Sequence, residues 1–271
     1  MDDQQTQQSD SQAEGLLEGM TEAVSAAGRV LLERFSDENR VDGGPSLLAA
    51  IDANDEASLA VLRPLLEQLR PGARWDDDEE GDGALGVGEW WIADSAEGNV
   101  NHIHGSTDWG VTATLVRDDV PVLTAVALPA LGLVYTAASG GGAFLNGARI
   151  TVSAKTDLSS ALVGTGQAKP GEAPETRRRM AASIDRMLDA ALLVSATVPA
   201  TLALVRVAAG HVDAFWQEGQ VRSGLVAGAL LVQEAGGAVI DSAGAPWTLA
   251  SEDFIATTPG LASQVAAVLA H

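Results

Sequence analysis

The stretch WWIADSAEGNVNHIHG, residues 90–105, gathers side chains whose types and spacing suit metal and phosphate chemistry. A hydrophobic run ends in Asp94, delivering one carboxylate to the end of a strand, and Glu97 adds a second three residues on. Gly98, Asn99 and Asn101 follow at once. Two hard oxygen donors beside a glycine N–H, which can face an anion, form a nest for Mg²⁺ together with phosphate. The spacing D-x-x-E-G also fits an ordinary turn with solvated acids, so by itself it decides nothing. His102 and His104, two of only four histidines, lie in the same loop. Imidazole is the side chain most easily poised near neutral pH. His104 reads as a hydrogen-bonding residue within the loop, whereas His102 is open to a structural or an acid–base role. A run of acids at residues 76–82 (DDDEEGD) reads first as a solvated loop and second as a source of a metal ligand.

These groups need elements to position them. The first residues, 1–14, hold almost nothing to bury and are expected to form a mobile tail. From Leu16, apolar residues recur at helical spacing through Met20, Val24, Ala27, Leu31 and Phe35, and a second helical pattern covers residues 55–69. The period then changes to that of strands at residues 89–94, 110–116, 120–128, 133–137 and 142–152. Arg117-Asp118-Asp119 marks a hairpin, and Asn146-Gly147 a type I′ turn. Beyond Ser153, strands near 161–165, 192–195, 212–216 and 238–241 alternate with helices near 175–190, 199–209, 224–235 and from 261. The expectation is an α+β lobe over 15–153, carrying the acidic loop and the strand end, packed on an α/β lobe over 154–271.

Composition narrows the function. The 271 residues contain no cysteine, which excludes thiolate nucleophiles, disulfides and zinc ribbons and leaves only O or N ligands for a metal. Sixteen basic against 37 acidic residues give a net charge of -21, and Lys155 and Lys169 are the only lysines. A phosphate backbone would be repelled, so no nucleic-acid partner is expected. Neither a long apolar run nor a basic leader followed by an apolar segment is present, so a soluble cytoplasmic protein with no membrane partner is expected. Gly140 to Gly142 read as a turn, the Trp residues at 90, 91, 216 and 247 as core, and Arg177-Arg178-Arg179 as a solvated helix face.

Five blocks, taken in order, carry a family likeness. Residues 91–105 (WIADSAEGNVNHIHG) resemble W-x-I-D-P-I-D-G-T-x-N-F-x-H-G, the motif of the inositol monophosphatase family. Residues 140–153 (GGGAFLNGARITVS), 207–215 (VAAGHVDAF), 226–237 (VAGALLVQEAGG) and 241–247 (DSAGAPW) resemble further motifs of that family. The resemblance covers roughly residues 16–269. It implies an αβαβα layered sandwich combining α/β and α+β parts, Mg²⁺ as cofactor, a small phosphorylated molecule as substrate and a homodimer.

It also implies roles for particular residues. The family's first metal-binding Asp is Asp94, the second becomes Glu97, and the carbonyl between them belongs to Ala96. The family's Glu-Glu loop falls on the acidic run, where Asp78 or Glu79 takes the position of the ligating Glu. Counting back from Gly228, the last ligating Asp falls on Gly224, which has no side chain to offer. The Thr whose hydroxyl helps position the attacking water is Asn99, and Gly98 with Asn99 would turn N–H groups to the phosphate. The family's ring-binding segment falls on residues 198–201, which include Pro199, and its hydroxyl-binding Glu on Gln217. Three readings stay open: a divergent phosphatase with a weakened Mg²⁺ site, a repurposed metal-independent enzyme using Glu97, His102 and Asp94 as acid and base, or a non-catalytic relative.

Overall fold

Alternating apolar residues in the middle of the chain build the first of two sheets. The computed structural model describes residues 2–38, 43–78, 81, 83–168, 171–219 and 222–270. Among them, β1 (Arg74–Trp75), β2 (Glu89–Glu97), β3 (Gly110–Arg117), β4 (Val120–Leu128), β5 (Leu133–Ala138), β6 (Gly142–Leu145) and β7 (Ala148–Arg149) lie side by side in chain order. The β1–β2 pair is parallel and the others are antiparallel. Both expected tight turns form with positive φ at their central residues, as a type I′ turn requires: 50° and 64° at Asp118 and Asp119, 48° and 78° at Asn146 and Gly147. The carboxylate of Asp119 then accepts the N–H groups of Leu85 and Gly86 at 2.6 and 3.0 Å, which ties the segment before β2 to the hairpin.

Helices α1 (Asp2–Arg34) and α2 (Gly44–Leu69) cover one face of this sheet. Met20, Ala23, Val24, Ala27 and Leu31, spaced at three and four residues, form the buried stripe of α1 against Trp91, Trp109 and Leu115. Helix α1 begins at Asp2, within the segment expected to form a tail. Likewise α2 begins eleven residues before the expected start, with Pro45 in its first turn, where the missing N–H costs nothing.

The chain then builds β8 (Leu162–Thr165), α4 (Pro174–Ala190), β9 (Leu193–Ala196), α5 (Ala200–Ala208), β10 (Ala214–Glu218), α6 (Arg222–Glu234), β11 (Ala238–Ile240), β12 (Asp253–Thr257) and α7 (Ala262–Leu269). A five-residue helix, α3 (Asn99–Ile103), follows β2. The second sheet has the order β11-β12-β10-β8-β9. Helices α5 and α6 pack between the two sheets, and α4 and α7 cover the far face of the second, giving an αβαβα sandwich. Close approach of α5 and α6 depends on Gly228: a β-carbon there would sit 2.3 Å from Cβ of Leu204. No helix among the described residues is long and apolar enough to cross a membrane.

Candidate functional site

The site grows from an irregularity at the end of β2. Register with β3 holds from Glu89 to Asp94, then shifts before Glu97 pairs with Gly110. A bulge of this kind re-aims side chains, and here it breaks the strict alternation that would govern Asp94 and Glu97. Asp94 is half-buried, and its Oδ1 accepts the N–H of Ala96 at 2.9 Å, so the carboxylate folds over its own bulge. Ser58 on α2 donates to the carbonyl of Ser95 at 2.5 Å and fixes the bulge from the other side.

Glu97 is buried. The Thr201 hydroxyl lies 2.9 Å from its Oε2 and 3.0 Å from the carbonyl oxygen of Gly224, sharing one proton between two acceptors. This link joins the end of β2 to the first turns of α5 and α6. Gly98 follows at φ 74°, and a β-carbon there would fall 2.7 Å from the carbonyl of Asp108 and 2.9 Å from the ring of Pro199. Only glycine suits both the left-handed backbone and the close approach. Pro199, preceded by a cis peptide bond, therefore lies directly on the loop expected to face phosphate.

His102 and Asn99 turn the other way. His102 is buried; its Nε2 donates to the carbonyl of Leu31 at 2.8 Å, and its Nδ1 accepts from Asn54 Nδ2 at 3.1 Å. Those partners assign the neutral tautomer protonated on Nε2. Phe35 and Trp109 meet the ring at 5.4 and 4.7 Å. Burial above all, and then the positive charge of Arg34, hold the imidazole below its usual pKa, against the opposing pull of the Leu31 carbonyl. Of the two roles left open for His102, these contacts favour the structural one: both ring nitrogens pin α3 to α1 and α2. Asn99 does the same, donating to the carbonyl of Ile51 and to Asp55, each at 3.1 Å, and accepting from Asn54 at 2.8 Å. Its side chain is committed to α2, which leaves its backbone N–H as its contribution to the site. His104 makes the expected local bond, Nδ1 to the Val100 carbonyl at 2.8 Å.

Asp76, at the start of the acidic run, is held by a distant partner. Arg222, opening α6, grips Asp76 through Nε–Oδ2 at 2.7 Å and Nη2–Oδ1 at 2.9 Å, and donates through Nη1 to the Gly83 carbonyl at 3.1 Å. Both side chains of the pair are over nine-tenths buried. Asp78 is exposed and hydrogen-bonds through its carbonyl to the N–H of Gly81, while Glu79 lies outside the described residues. Gln217 is on β10 in the second sheet, its amide covering Gly166. The Gly140 to Gly142 turn already holds an anion, the Glu234 carboxylate, which accepts the N–H groups of Gly140 and Gly142 at 2.8 Å each.

Sequence reasoning thus missed Thr201, Asn54 and Arg222. One local signal existed for Arg222, since a cation opening a helix opposes the helix dipole and asks for an anionic partner. Among the described residues no three His, Asp or Glu side chains cluster to hold a metal. Asp94, Glu97 and the Ala96 carbonyl are the oxygen donors that this strand end offers, and Mg²⁺ is commonly bound through one or two carboxylates plus substrate phosphate.

Comparison with known proteins agrees with this architecture. The inositol monophosphatase family matches residues 12–271. An inositol-1-monophosphatase of Rhizobium meliloti is 32% identical over 234 residues, spanning 84% of this chain and 86% of that one. A putative Nus factor SuhB of Neisseria meningitidis is 31% identical over 224 residues, 81% of this chain and 82% of that protein. The structure of inositol monophosphatase from Anabaena superposes with a TM-score of 0.79 at 26% identity, covering 95% of this chain and 96% of that one. Mycobacterium tuberculosis SuhB does so with a TM-score of 0.77 at 27% identity, covering 95% and 96%. The chain is a member of the inositol monophosphatase family.

Proposed function

We propose that the protein is a divergent, slow phosphomonoesterase that acts on a small phosphorylated metabolite with a weakened Mg²⁺ site. In this reading Asp94, Glu97 and the Ala96 carbonyl hold the ion, with Asp78 or Glu79 nearby, and the N–H groups of Gly98 and Asn99 face the phosphate. Bound Mg²⁺ would supply charge neutralisation on the transferred phosphoryl group. Thr201 would orient the Glu97 carboxylate, and Pro199, Gly224 and Gln217 would shape the substrate side. The reading includes a cytoplasmic homodimer; Leu188, Leu192 and Leu193, 50–65% exposed, offer apolar surface for it.

One observation carries the proposal: the register of β2 shifts between Asp94 and Glu97, while Asn99 is committed to α2 and Gly224 accepts through its carbonyl. Fewer charged oxygens remain to replace the waters of a tightly hydrated ion. Calorimetry with Mg²⁺ and steady-state assays on inositol-1-phosphate and p-nitrophenyl phosphate test it. Binding weaker than micromolar is expected, with Mg²⁺-dependent turnover about 100-fold below that of a relative with the full ligand set. Micromolar binding of two ions per chain, or ordinary family turnover, would overturn it. A metal-independent enzyme is the second reading, favoured by the permanent positive charge of Arg222 close to the site. Turnover unaffected by a chelator would select it.

A further inference from the structure

The chain carries six acids among the seven residues 76–82, next to a strand that ends in two more. Asp76, which opens this run, has its carboxylate taken out of bulk water and needs a counter-charge. We propose that Arg222 is that counter-charge: a positioning residue that replaces a divalent cation in holding the acidic loop on α6 and thereby lowers the affinity of the neighbouring site for Mg²⁺.

Three features support this assignment. The guanidinium meets Asp76 in a bidentate fork, the geometry Arg favours for carboxylates, and both side chains are buried. The contact is tied directly to the candidate site at both ends. Asp76 donates its N–H to the Trp91 carbonyl on β2, three residues before Asp94. Arg222 stands two residues before Gly224, whose carbonyl shares the Thr201 hydroxyl with Glu97. The grip extends along the loop, since Arg222 also donates its backbone N–H to the Gly81 carbonyl and Nη1 to that of Gly83. Asp76, Gly81 and Gly83 are therefore gathered around a fixed organic cation.

The inference deepens the proposed function, and its test reads metal binding and stability rather than turnover. Calorimetric Mg²⁺ titrations and melting curves are compared for the wild-type chain, Arg222→Gln and Arg222→Lys. Losing one full positive charge a few ångströms from the acids should tighten Mg²⁺ binding by at least about tenfold in Arg222→Gln and make its melting temperature rise with Mg²⁺. Arg222→Lys keeps the charge and should bind Mg²⁺ like the wild type, even if its melting temperature falls. Unchanged affinity in Arg222→Gln, or equal tightening in Arg222→Lys, would refute the assignment. If Arg222→Gln does not fold in metal-free buffer, refolding in excess MgCl₂ is compared with NaCl of matched ionic strength. Recovery of native circular dichroism with Mg²⁺ alone supports the proposal, and recovery in neither or in both overturns it. Absence of phosphatase activity in the wild type would remove the functional reading and leave these binding results standing.

Discussion

Burial decides the proton affinity of His102 before any catalytic argument can begin. With its folded pKa held below the usual value near 6.5, the unfolded chain binds the extra proton first as the pH falls. The stability that neutral His102 contributes is therefore complete above about pH 6.5 and is lost progressively as acidification goes below it. The wild-type melting temperature should fall between pH ~7.5 and ~5 by more than that of His102→Gln, which cannot titrate there. Equal slopes would contradict the burial argument. The carboxylate most clearly depressed, Glu89, owes its shift first to Arg70 and then to Arg117, and it changes charge below this window. Asp94 and Glu97 were singled out from the sequence because they are neighbours there, although their spacing alone decides nothing. Their partners were not: Thr201 is 104 positions from Glu97, and Arg222 is 146 from Asp76. Contacts of that separation exist only once the layers have stacked.

At the scale of elements, strands and helices with a clear period were readable. The Val120–Leu128 strand has the expected limits, and both type I′ turns sit where Asp-Asp and Asn-Gly placed them. β12 was missed because its short DFIAT run, wedged between β10 and β11, is buried over Phe254 to Thr257 and shows no alternation. The first eleven residues of α2 were missed because Gly-Pro reads as a breaker when no tertiary partner is known. The same scale governs a rescue experiment. Asp at position 224 would enter the first turn of α6, where the dipole tolerates negative charge and Arg222 is near in sequence. Glu97→Asp would shorten the second carboxylate, and Asn99→Thr would free the α2 anchor and return a hydroxyl beside Gly98. Because groups in one catalytic unit act together, each single change should do little. The triple variant Glu97→Asp, Asn99→Thr, Gly224→Asp should raise Mg²⁺-dependent kcat/KM on p-nitrophenyl phosphate by at least about tenfold. A folded triple variant that binds Mg²⁺ yet hydrolyses nothing would show that the pocket around Pro199 and Gln217 serves another ligand.

For the molecule as a whole, a net charge of -21 acts on stability and on encounter in the same direction. Like charges spread over the surface repel one another and also repel an anionic substrate approaching the strand end. Both effects extend over a screening length of about 30 Å at 0.01 M ionic strength and about 10 Å at 0.1 M. Adding NaCl over that range should therefore raise the melting temperature and, for a phosphate ester, lower KM with little change in kcat. A neutral control ligand should show no such trend. Local positive charge would reverse the second effect: if Arg222 and a bound cation dominate the field at the site, salt will screen an attraction and KM will rise. A KM that climbs with NaCl while the melting temperature still increases would therefore place the controlling charge within a few ångströms of Asp94 and Glu97 rather than in the surface as a whole.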